Sequence, residues 1–192
     1  MKKTSRISVL IISLALISAY FLPIWEIELE APQYPEGLGM NIWINKITGD
    51  LNTINGLNHY IGMKTIQPDS IKELTLMPYI LGFLIFSGIA VAALGRKRLL
   101  AAWVVFFMLL GIAGGVDFYL WEYDYGHDLN PEAAIKIPGM SYQPPLIGTK
   151  QLANFTAISV PDFGGYILIG AGVASLLILV YDTRKKSKFI IK

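Results

Sequence analysis

Apolar and polar positions along this 192-residue chain follow two length scales. On the longer one, four stretches carry almost no ionisable group: Ile7 to Pro23, Met77 to Gly95, Leu99 to about Leu120, and Phe163 to Tyr181. A bilayer core about 30 Å thick needs roughly 20 helical residues to cross it. The runs therefore predict transmembrane helices at about 7–23, 77–95, 99–120 and 163–181, with Asp117 the only acid among them. Pro23 and Pro78 are read as lying at helix ends, where proline is tolerated. Two long connecting segments remain, at about 24–76 and 121–162.

The shorter scale lies inside those connections. Ile24-Trp25-Glu26-Ile27-Glu28-Leu29-Glu30 alternates apolar and acidic residues, the two-residue period of a strand with one wet face. Lys72 to Leu76 alternates as well, which predicts a second strand pairing with the first in a small ribbon above the membrane. Leu51, Ile54, Leu57 and Ile61 recur at helical spacing behind Asp50, a candidate helix cap, and the same spacing places His59 and Met63 on one face. Asn130-Pro131-Glu132 reads as the start of a short helix ended by Pro138-Gly139. In the spans, Gly111 with Gly115, Gly88 with Ala92, and Gly170 with Ala174 predict close helix packing. The predicted fold class is an all-α membrane protein: a four-transmembrane-helix bundle, 1–192 as a single membrane domain, with two extracytoplasmic loops forming a small mixed cap.

Composition supports this architecture. Only 16% of residues are charged, against about 25% in ordinary soluble domains, and disorder and nucleic-acid binding are set aside with solubility. The formal net charge of +2 conceals a strong sorting. Lys2, Lys3 and Arg6, then Arg96, Lys97 and Arg98, then Arg184, Lys185, Lys186, Lys188 and Lys192 all belong to one side. The positive-inside rule makes that side the cytoplasm, with both termini inside. The opposite face, counting Asp117, carries five lysines against thirteen of the fourteen acids, a net charge of −8. The first span also has the basic start of a signal peptide. The absence of a small-x-small pattern around Ser18 to Phe21 favours an uncleaved span in the bacterial inner membrane.

No cysteine is present, which removes disulfides, thiolate metal sites and thiol chemistry. The two histidines, His59 and His127, fall one in each outer loop, and none lies within a span, which disfavours a transmembrane haem. Met40, Met63, Met77 and Met140 also fall outside or at the outer edge. Imidazole nitrogen with thioether sulfur is a ligand set suited to copper, above all Cu(I). His59, Met63, His127 and Met140 form the candidate metal site. The competing reading has the histidines hydrogen-bonded within the cap and the methionines filling apolar gaps. Asp117 to His127 interleaves aromatics with acids, as an interfacial aromatic belt does, and Asp117, Glu122 and Asp124 could instead attract cations or accept protons. Nothing resembles a nucleophile with its base, a phosphate loop or a paired-carboxylate hydrolase, so the chain is read as a non-enzyme.

Four blocks carry a resemblance: Tyr34 to Met40, Asn58 to Lys64, Asp117 to His127, and Pro138 to Pro145. They are similar to the matching stretches of a small membrane-protein family encoded in nitrous oxide reductase gene clusters of Bacteroidota-type bacteria. The resemblance implies accessory work for a periplasmic copper enzyme, alongside its copper chaperones and an ABC-type maturation complex. The resulting expectation is a membrane accessory factor whose outer cap binds copper or docks a copper-handling partner. The alternative is a metal-free scaffold or anchor whose cap recruits a periplasmic reductase or cytochrome.

Overall fold

The computed structural model describes residues 1–183; Arg184, Lys185, Lys186, Lys188 and Lys192 of the basic carboxy-terminal segment lie outside the described residues. Four helices are long and apolar enough to cross a membrane. The first is α1 (Lys3–Ala15), continued by a tighter 3₁₀ segment, Leu16–Tyr20. Then come β1 (Trp25–Ala31), β2 (Tyr34–Ile42), β3 (Ile47–Gly49) and the short α2 (Leu51–Ile61). The spans α3 (Lys72–Leu94) and α4 (Lys97–His127) follow, then β4 (Gly148–Leu152), β5 (Phe155–Pro161) and the last span, α5 (Phe163–Thr183).

In the bundle, α1 packs against α3 and α5, and α4 closes the ring against the same two helices. Val9, Leu16, Leu81, Leu84, Leu100, Trp103, Val104 and Phe107 are buried in its core. Gly88 allows the closest approach: a Cβ there would lie 2.2 Å from Ser13 Oγ and 2.8 Å from the Trp103 ring. Trp103 Nε1 in turn donates to the Leu84 carbonyl at 3.0 Å. The pair predicted at Gly111 and Gly115 behaves differently. A Cβ at either would meet nothing within 4 Å among the described residues, and every residue from Gly111 to Asp117 is exposed. Gly170 is open in the same way, so of the three small-residue pairs only Gly88 with Ala92 lies within the packed core.

At one end of the bundle the basic residues close the helix termini. Arg6 donates to the carbonyls of Ala92 and Ala93, the Met1 amino group to Gly95, and Lys97 Nζ to Asp182. The last carbonyls of a helix have no partner within it, so cations placed there satisfy both the hydrogen bonds and the dipole. The buried Asp182 carboxylate accepts from the Lys2 amide at 2.7 Å.

At the other end, the two connections form one cap around a five-stranded antiparallel sheet of order β3-β2-β1-β5-β4. The strand predicted at Ile24 to Glu30 is β1, at the centre. The ribbon partner predicted at Lys72 to Leu76 is absent, because these residues are the opening turns of α3. Leu74 and Leu81 continue the helical spacing there, and five alternating residues were too few to separate the two periods. Pro78 consequently sits inside α3, not at its end. The Tyr20 hydroxyl donates to its carbonyl.

Three further expectations need correction. Asp50 stands before α2, but its carboxylate accepts from the Gly39 amide at 2.9 Å and makes no cap bond. Residues 130–140 form turns, not a helix. Asn130 Oδ1 takes the Glu132 amide, while the Asn130 and Ile135 amides reach across to the Gly62 and Tyr60 carbonyls. Finally, α4 runs to His127, seven residues past its predicted end. About 20 of its 31 residues suffice to cross. Its last turns rise into the cap, where Phe118, Trp121 and Tyr125 pack against the Ile27, Leu38, Met40 and Ile54 core.

These contacts predict opposite outcomes for two glycine substitutions. Gly88→Ala should destabilise the folded bundle by about 1–3 kcal/mol through overpacking. Gly111→Ala should leave stability unchanged or raise it by up to about 1 kcal/mol, since a helix gains and no neighbour is met. Thermal unfolding in the same detergent would measure both.

Candidate functional site

The sheet and α2 enclose the cap's apolar core, and three connections bring the end of α4 to it. Gly126 makes one of them: a Cβ there would lie 2.4 Å from the Gln143 backbone, and its carbonyl accepts from the Tyr142 amide at 2.9 Å. Lys64 makes the second, reaching Asp124 at 2.8 Å and Asp128 at 2.7 Å. These two carboxylates push the Lys64 ammonium up to about 12. The third is the backbone contact between residues 130–135 and the end of α2 described above.

The predicted metal ligands are distributed over this region without forming a cluster of histidine and carboxylate. His59 is exposed on α2, its ring edge-on to Tyr60 at 6.0 Å. Met63 does not share its helical face, because α2 ends at Ile61 and Gly62 takes a left-handed φ of 81° that an L side chain resists. Met63 instead lines an internal cavity. His127 is exposed at the end of α4, stacked on Tyr123 at 4.0 Å, with Nδ1 at 3.0 Å from the Tyr123 carbonyl. Met140 is half-buried in the turn region after residue 136. Among the described residues, no group of three or more histidine, cysteine, aspartate or glutamate side chains is arranged to hold a metal ion.

Glu122 occupies a different environment from the other cap acids. It is 1% exposed, and neither carboxyl oxygen has a hydrogen-bond partner among the described residues. It lines a cavity of about 60 Å³ whose walls are otherwise mostly apolar, including Leu29, Leu57, Ile61, Trp121 and Leu152. Tyr142, whose hydroxyl is also buried and unpartnered among the described residues, lines the same cavity. Burial raises the carboxyl from its ordinary 4.5 to about 8, with Lys150 pulling weakly the other way. Glu122 is therefore a neutral acid at pH 7, while the cap acids at the surface face water.

Sequence reasoning grouped Glu122 with Asp117 and Asp124 as an interfacial acid. A signal was available: once α4 is continued past Leu120, Phe118, Glu122 and Tyr125 recur at the i, i+4, i+7 spacing of one face, and Trp121 borders it. A carboxyl on the apolar stripe of an amphipathic segment is a buried carboxyl.

The shift has a defined consequence for stability. Between about pH 4.5 and 8 the folded protein holds a proton that the unfolded chain has released. The sign follows: stability falls as pH rises through that window and levels off above it. Glu122→Gln should flatten this dependence and exceed the unsubstituted protein near pH 8.5 by on the order of a few kcal/mol. Denaturant unfolding followed by tryptophan fluorescence across pH 5 to 9 would test it.

No protein-family model matches the chain, and no curated protein matches it either.

Proposed function

We propose that the chain is a multi-pass inner-membrane scaffold whose acidic cap faces the periplasm, with both termini cytoplasmic, and recruits a basic periplasmic partner. One observation carries this reading. Thirteen of fourteen acids fall on the cap side with only five lysines, and Glu30, Glu36, Asp69, Glu73 and Glu132 are exposed there. Charge of one sign over a folded surface speeds encounter with an oppositely charged protein and rejects like-charged ones. The ordered five-stranded sheet supplies a rigid platform for it. Given the resemblance of the four sequence blocks, the reductase of a nitrous oxide pathway or its electron-donating cytochrome is the partner to test. A copper-bound cap is the competing mechanism, and it makes a separable prediction.

Binding of purified nitrous oxide reductase or a c-type cytochrome to the full-length protein in nanodiscs would decide between them. Raising salt from 50 to 500 mM should weaken binding by roughly tenfold or more, since exposed charges are screened beyond a Debye length. Glu30→Lys with Glu36→Lys should weaken it similarly at low salt, and a chelator should leave it unchanged. Loss on chelation with indifference to salt would reject the scaffold mechanism in favour of the metal.

A further inference from the structure

The scaffold reading uses the outside of the cap and leaves its interior without a role. A buried carboxyl whose two oxygens find no protein partner is costly, and such groups in an apolar cavity mark places where something else completes the hydrogen bonding. Here Glu122 and Tyr142, whose buried carboxyl and hydroxyl have no partner among the described residues, are both wall residues of one cavity.

We propose that this cavity is a binding site for a short, unbranched aliphatic primary amine, with its carbon chain against the apolar walls and its ammonium on Glu122 and Tyr142. Size sets the first limit. If about 10–15 Å³ admits one water-sized group, a cavity of about 60 Å³ admits four or five heavy atoms, the size of n-butylamine. Chemistry sets the second. The cavity wall carries a carboxyl but no lysine, arginine or histidine among the described residues. An entering cation is therefore the species that gives the carboxylate an internal counter-charge. An ammonium has three N–H donors, enough to serve both carboxyl oxygens and the tyrosine oxygen, and charge-assisted bonds are about twice as strong as neutral ones. An alcohol of the same length has one donor. Electrostatics sets the third, because the excess of acids over lysines on the cap concentrates cations around the site.

Binding has a proton balance. Glu122 enters neutral at pH 7 and becomes a carboxylate facing the ammonium, so its proton leaves to solvent. Lys150 from β4 favours ionisation of Glu122, and Tyr125 and Tyr142 are wall residues of the same cavity. The site is independent of the docking reading, since no partner protein is needed to fill it.

Calorimetry on the full chain in nanodiscs, with empty nanodiscs as the blank, provides the test. n-Butylamine should bind with release of nearly one proton at pH 7, read from the dependence of the heat on buffer ionisation. Its affinity should rise by about tenfold per pH unit up to about pH 8, following ionisation of the carboxyl. n-Butanol should bind more weakly, with no proton released. Glu122→Gln should weaken n-butylamine at least tenfold and leave n-butanol unaffected. Ala31→Leu, which adds three carbons at a wall residue of the cavity, should exclude both probes even if Glu122→Gln does not fold. Equal affinity for amine and alcohol, amine binding without proton release, undiminished amine binding in the Ala31→Leu protein, or no binding of amine would each overturn the assignment.

Discussion

The pairing of β1 with β5 is the constraint on which the rest of this structure depends. Six residues of β1, from Trp25 to Glu30, face partners from Pro161 back to Thr156. This ladder joins the first outer connection to the second and converts two loops into one sheet. It also lies directly above the membrane helices that flank it. The chain passes from the first span into β1 through a few residues and from β5 into α5 through Asp162 alone. Where they meet, the Gly164 amide donates to the Pro23 carbonyl at 2.9 Å, and a Cβ at Gly165 would lie 2.1 Å from the Ile24 carbonyl. The sheet and the bundle therefore share a rigid joint at α1 and α5, and the top of α4 is added to the cap by its aromatic face.

The two ends of the molecule handle charge in opposite ways. At the basic end, cations lie against helix carbonyls that lack intrahelical partners, so charge is used locally and is tied to backbone groups. At the cap, most acids face solvent, and their influence is the summed field around the sheet. Lys64 is a local exception, since it holds Asp124 and Asp128 together. Exposed pairs of this kind contribute little stability, and its value lies in orienting the end of α4 toward α2. Glu122 obeys neither pattern, being an acid whose charge is suppressed by burial.

How much of this was legible in the sequence varied with the element. The four spans follow from uninterrupted apolar length, and β1 from a clean alternation of apolar and acidic residues. β5 escaped detection because its buried positions are Ala157, Ser159 and Pro161, small or polar residues that do not write a hydrophobic period. β2 was hidden by Pro35, Gly37 and Gly39, residues that ordinarily argue against a strand interior. The expected helix at Asn130 lost to tertiary pairing, since its amides found carbonyls at the end of α2. The candidate ligands lie in the cap region, and the end of α2 at Gly62 separates the face of His59 from that of Met63. A helix terminator immediately before the second ligand, Gly62, is visible in the string and outweighs a spacing of four. Glu122 was present in every count of acids, yet only the continuation of α4 reveals which way it faces.

The central place of β1 also dictates an order of assembly. Its hairpin partner β2 follows within a few residues, so that this pairing is local in the chain. Its other edge must wait for β5, more than a hundred residues later, after α3 and α4 have been synthesised. Until then β1 presents an open edge, the feature that invites mispairing in partly folded chains. Glu26, Glu28 and Glu30 stand at alternate positions of that strand, and charge on a strand disfavours edge-to-edge pairing.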